Sequence, residues 1–181
     1  MRIAARARLA GLLLLGLAAC AGNNGWPEFR MPGGDFAVSV PSKPVISKDV
    51  TEKDGGIWHV YLVDQGRVAY SIDYSVSAPG KKVGSLDARL DAVRDAVVRE
   101  MKAKLRNERR FSLGESRATE LILDVAASKG EEAYIIKARF YLRRDPAGRD
   151  LWYKTWVVGP AGYDANPNVA RFLDSFHFVT G

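Results

Sequence analysis

Residues 68–76 alternate between two kinds of side chain: Val68, Tyr70, Ile72, Tyr74 and Val76 against Ala69, Ser71, Asp73 and Ser75. A period of two predicts a half-buried β-strand. The same rhythm places Phe36, Val38 and Val40 on one face of DFAVSVP, and it makes IWHVYLVD (57–64) a strand. Gln65-Gly66 then reads as a hairpin connection. Three further strands follow in ATELILDVAA (118–127), EEAYIIKARFYLRR (131–144) and DLWYKTWVVG (150–159). Lys129-Gly130 and Asp145-Pro146-Ala147-Gly148 separate them with turn chemistry. Strands joined by short turns pair antiparallel.

Between the two strand groups the period changes. Leu86, Leu90, Val93, Val97, Met101 and Leu105 recur at spacings of three and four, which makes one apolar stripe on a long helix. Ser85 is a suitable N-cap, and Asp87 in the first turn suits the helix dipole. A second, short helix begins near Asn166 with Pro167 at its first position; Val169, Phe172 and Leu173 face inward. FHFV (176–179) reads as a last short strand. The class is α+β, one domain over 35–181.

The N-terminus follows neither rhythm. Arg2, Arg6 and Arg8 precede the uncharged run LAGLLLLGLAA, the layout of a secretory signal. The run is shorter than the roughly 20 apolar residues of a membrane-spanning helix. It ends at Cys20, the single cysteine of the chain. Leu17, Ala18, Ala19 and Cys20 resemble the bacterial lipobox. That resemblance implies cleavage after residue 19, a diacylglycerol on the Cys20 thiol and acylation of the new amine. Several acyl chains hold a protein on a membrane stably, where one does not. Ala21, not aspartate, follows the cysteine, which points to the outer membrane, facing the periplasm. Residues 20–34, containing AGNNGWPEFRMPGG, then read as the lipidated cysteine and a flexible tether. Its fourteen residues after the cysteine span on the order of 20 Å as a coil. Trp26 and Phe29 within it either dock on the domain or rest at the lipid interface.

Processing changes the charge. The formal +6 of the 181 residues includes the three signal arginines; without them 24 basic residues face 21 acidic ones, a net +3. That is not the footprint of a nucleic-acid binder. With Cys20 acylated, no thiol remains for a disulfide, and a core must hold the fold.

The opening DFAVSVPSKPV and the closing RFLDSFHF are similar to the two ends of small bacterial domains with the PsbP-like α/β/α fold. The resemblance spans nearly the whole mature domain. It implies a central antiparallel sheet of about six strands flanked by one long and one short helix. It also implies docking and assembly roles in preference to catalysis, and it transfers no particular functional residue.

The residues themselves point to no reaction, cofactor or metal. His59 and His177 are the two histidines, and no G-x-S-x-G elbow accompanies them. A closed zinc site takes four ligands, usually Cys or His. GPAG (159–162) lacks the spacing of a phosphate or dinucleotide loop. Two basic features remain. KAKLRNERR carries Lys102, Lys104, Arg106, Arg109 and Arg110 at the expected end of the long helix, where cations complement the dipole and are otherwise solvated. The alternative is an acidic partner or lipid phosphate. The second feature is a proposed outward face with Lys137, Arg139 and Tyr141 on one strand and Lys154 and Trp156 on the next, opposite the apolar series Tyr134, Ile136, Ala138, Phe140, Leu142, Leu151, Tyr153 and Val157. Aromatics and arginine are favoured at interfaces; the competing account is cross-strand pairing with Asp124 or Asp73.

Two functions follow. One is a membrane-anchored, non-catalytic binding or assembly module whose partner is an envelope protein or an anionic ligand. The other is a lipid-anchored carrier of a small apolar or anionic ligand. A cavity between sheet and helix favours the carrier; a filled core favours the module.

Overall fold

The computed structural model describes residues 25–31, 35–43, 46–51, 56–77, 84–128, 130 and 132–179. The signal and Cys20 lie outside them. In chain order the elements are β1 (Glu28–Arg30), β2 (Phe36–Ser39), β3 (Ile46–Thr51), β4 (Ile57–Asp64), β5 (Ala69–Val76), α1 (Leu86–Glu100), β6 (Lys104–Leu113), β7 (Ser116–Val125), β8 (Tyr134–Arg144), β9 (Asp150–Pro160), a 3-10 turn (Tyr163–Ala165), α2 (Pro167–Asp174) and β10 (His177–Phe178). Seven strands form an antiparallel sheet in the order β3-β4-β5-β9-β8-β7-β6; β1, β2 and β10 form a second sheet in the order β1-β2-β10.

The large sheet is covered on both faces. On one lie β2, the short sheet and α2, whose Phe36, Val38, Val169, Phe172 and Leu173 meet Tyr70, Ile72, Tyr141 and Tyr153. Phe176 stacks on Tyr141 with ring centroids 4.2 Å apart. On the other face lies α1, packed over β7 and β8 through Leu90 against Leu121, Leu123, Ile136, Phe140 and Leu142. The α+β class, the antiparallel sheet and the two helices match the sequence expectation.

Four details correct it. The sheet has seven strands, with three more in the short sheet, not about six in all. Residues 25–31 belong to the fold and are not tether. β1 pairs with β2, Phe29 packs on Tyr61 at 4.8 Å, and Trp26 meets Tyr70 edge-on at 5.9 Å. The long helix stops at Glu100 and does not reach Leu105. There Lys102 takes a φ of 49°, the amides of Lys102 and Ala103 bond back to the carbonyls of Arg99 and Val98, and the chain enters β6. Finally, the predicted polar face of 69–75 is not solvated: β5 sits mid-sheet, and Ser71, Asp73 and Ser75 are all buried.

Candidate ligand-binding cleft

α1 covers β7 and β8 but leaves a space over β4, β5 and β9. The reason lies in side-chain size. On this face β5 carries only Ser71, Asp73 and Ser75. Large residues stand opposite them on both neighbours: Leu62, Val60 and Trp58 on β4, and Trp156, Lys154 and Trp152 on β9. A row of small side chains between two rows of large ones makes a trough along the strand. The helix above presents alanine at 88, 92 and 96, a four-residue spacing on one face. Small side chains on both walls leave a cleft of about 910 Å³. Val50, Val93, Val97, Met101 and Phe140 complete its apolar wall. Three of the four tryptophans in the chain, Trp58, Trp152 and Trp156, line it.

One ion pair crosses the floor. Lys154 Nζ pairs with Asp73, its cross-strand neighbour, and Ser71 Oγ donates to the same carboxylate. The ammonium lies 4.2 Å from the Trp156 ring centroid and 5.6 Å from that of Trp58. Burying these charges is tolerable because each has the other, a hydroxyl or a π-face. At the α1 N-terminus, Arg89 pairs with the buried Asp150 and lies 5.1 Å over the Trp152 ring. Ser75 is 6% exposed and lines the cleft. Trp152, its cross-strand neighbour on β9, lines the same end.

The five residues expected on one outward face are divided between two. Arg144 pairs with Asp150 across the β8–β9 turn, so odd positions of β8 stand opposite odd positions of β9. Lys137, Arg139 and Tyr141 therefore share a face with Val157, Thr155 and Tyr153, under α2 and the short sheet. Lys154 and Trp156 lie on the other face, beside Phe140 and Ala138, in the cleft. The apolar series divides the same way: the β8 members pack under α1, while Leu151, Tyr153 and Val157 lie on the opposite side.

The first trio is structural. Tyr141 is buried, and burial raises its phenol pKa. Arg139 Nε donates to Glu120 at 2.6 Å, Nη1 to the Leu173 carbonyl at 2.9 Å, and Nη2 to Asp174 at 2.6 Å, so this side chain ties the sheet to the end of α2. Lys137 Nζ is 4.0 Å from Glu120.

Of the helix-end cluster, Lys102 lies in the turn after α1 and the rest on edge strand β6, where the arginines are paired. Arg106 bonds Asp124 and Asp164, Arg109 reaches Glu120, and Arg110 bonds Glu108 and Asp91. His59 pairs with Asp49 at 2.7 Å, and His177 bonds the Ser175 carbonyl. Among the described residues no three His, Cys, Asp or Glu side chains come together as metal ligands, and no helix is long and apolar enough to cross a membrane.

No family model and no curated protein matches the chain. Among solved structures it is similar to PA94 from Pseudomonas aeruginosa, a protein of unknown function, at 13% identity and a TM-score of 0.44, over 80% of this chain and 90% of that one.

Proposed function

We propose that this chain is a lipid-anchored binding protein of the bacterial envelope that carries a small, largely apolar ligand in the cleft between α1 and the sheet. Of the two readings of the sequence, the carrier is preferred over the assembly module. The observation that carries it is the cleft of about 910 Å³ with tryptophan and aliphatic walls. Its size falls in the range of sites that bury most of a small ligand, and its few convergent polar groups suit orientation of that ligand. We read its role as binding.

The anchor is Cys20, by its resemblance to the lipobox, with placement in the outer membrane facing the periplasm. We read the fold as PsbP-like, supported by α1 and α2 on opposite faces of an antiparallel sheet.

Two experiments test these readings. Cys20→Ser abolishes metabolic labelling by palmitate; a variant still labelled, or a native protein never labelled, refutes the anchor. For the cleft, the unlipidated Cys20→Ser chain is titrated with the fluorophore 1-anilinonaphthalene-8-sulfonate. Ala92 is exposed on the helix wall, so Ala92→Phe fills the cleft without disturbing the core. It weakens binding at least tenfold at an unchanged melting temperature. Equal binding by both chains removes the cleft as the site.

A further inference from the structure

We infer that the ligand of this cleft is a single-chain acyl amphiphile, a fatty acid or its mono-ester. It lies along β5 with its acyl oxygens at the Ser75 end and its hydrocarbon tail towards Trp156. This rests on the reading of the cleft as a ligand site and names the ligand class.

Shape comes first. The lining follows β5 from Ser71 to Ser77 and α1 from Ala88 to Met101. Seven strand residues span roughly 20 Å. That length suits an extended chain lying along β5.

Chemistry then separates an acyl chain from an extended peptide. A peptide brings an N–H and a C=O at every residue, and each needs a partner when buried. β5 offers none from its backbone, because both of its edges are already paired, to β4 and to β9. The walls are Val, Ala, Met, Leu and Trp over most of their length. A methylene chain needs no partner and gains from every buried CH₂.

Polarity sets the direction. Two donors, the Ser75 hydroxyl and the Trp152 indole N–H, share one cross-strand row near the N-terminal end of α1. Acyl oxygens accept from such donors. Leu62 and Trp156 flank Ser71, whose hydroxyl is committed to Asp73. That end, roofed by Val97 and Met101 near the helix C-terminus, takes the tail. Between them Lys154 is already neutralised by Asp73, and Lys48 lines the cleft in the same cross-strand row.

The test uses the full Cys20→Ser chain without detergent, with octanoate, laurate and palmitate displacing bound cis-parinaric acid. Palmitate binds at least tenfold tighter than laurate, and octanoate more weakly still. Ala92→Phe abolishes displacement, and Ser75→Ala weakens palmitate at least fivefold at an unchanged melting temperature. Affinity that does not rise with chain length overturns the inference, as does a Ser75→Ala chain that binds palmitate normally. Should 1-anilinonaphthalene-8-sulfonate bind in the cleft while no fatty acid does, the acyl inference fails and the cleft remains a ligand site. Should neither bind, both fail.

Discussion

Lys154 on β9 and Asp73 on β5 are direct cross-strand neighbours, and their side chains form an ion pair on the floor of a cleft walled largely by tryptophan and aliphatic residues. Asp73 is 4% exposed and Lys154 17% at the side chain, so each depends on the other in place of water. Removing one partner of a buried pair costs about 3–5 kcal/mol, whereas replacing both by apolar residues is often neutral. Asp73→Ala is therefore expected to lower unfolding stability by about that amount, and Asp73→Ala with Lys154→Met to recover most of it. Urea denaturation of the three chains measures both. A double variant as unstable as the single one contradicts the pairing.

Arg139 and Arg109 make a second contrast. Both reach Glu120, but Arg139 is 12% exposed and also bonds Asp174 and Leu173, while Arg109 is 58% exposed. Arg139→Ala leaves Glu120 buried without its main partner and is expected to cost about 3–5 kcal/mol. Arg109→Ala falls within about 0.5 kcal/mol of the parent. Thermal melts that rank them the other way refute this placement.

A buried tyrosine cluster sets the alkaline limit. Burial raises the Tyr153 phenol to about 12 against the pull of Arg143, and burial raises Tyr70 further. In the unfolded chain both titrate near 10. A folded pKa above the unfolded one means stability fully present below about pH 10 and lost as pH rises towards 12. Circular dichroism against pH should show that fall, shallower in Tyr70→Phe. A flat stability between those values contradicts it.

At the end of α1, Lys102 holds a left-handed φ of 49°, where glycine is the usual residue. An L side chain costs roughly 1–2 kcal/mol in that conformation. Lys102→Gly recovers about 1 kcal/mol after its extra unfolded-state entropy. An unchanged denaturation midpoint contradicts this.

How far the sequence could be read depended on where each strand sits. The period-two runs of β4, β5 and β7 and the Asn166-Pro167 start of α2 were legible because a buried face imposes its pattern. Edge strands carry less of that signal. β3 is ISKDVT and largely exposed. β6 reads KLRNERRFSL, pairs its charges along the surface, and slips register between Leu105 and Asn107, which breaks the alternation. Leu105 also stands four residues after Met101, so the helical spacing ran past the true end at Glu100. β1 has three residues and no period at all. The divided candidate face has a different cause. β8 and β9 are covered on both sides, so each shows two partly apolar series, and only the five residues between Arg144 and Asp150 decide which series meet. The cleft left its signal in small residues, the serines of β5 and the alanines of α1, whose meaning depends on what stands opposite.

The central claim is that the cleft between α1 and β5 holds the ligand, and the tryptophans report on it directly. Trp58, Trp152 and Trp156 line the cleft, while Trp26 packs on Tyr70 across the sheet, with Arg171 4.4 Å above its ring. Heteronuclear NMR resolves one indole N–H signal per tryptophan, four in this chain. On titration of the Cys20→Ser chain with palmitate, the signals of Trp58, Trp152 and Trp156 should move and saturate together while that of Trp26 stays. Movement of Trp26 alone, or of none of the four, would contradict the account.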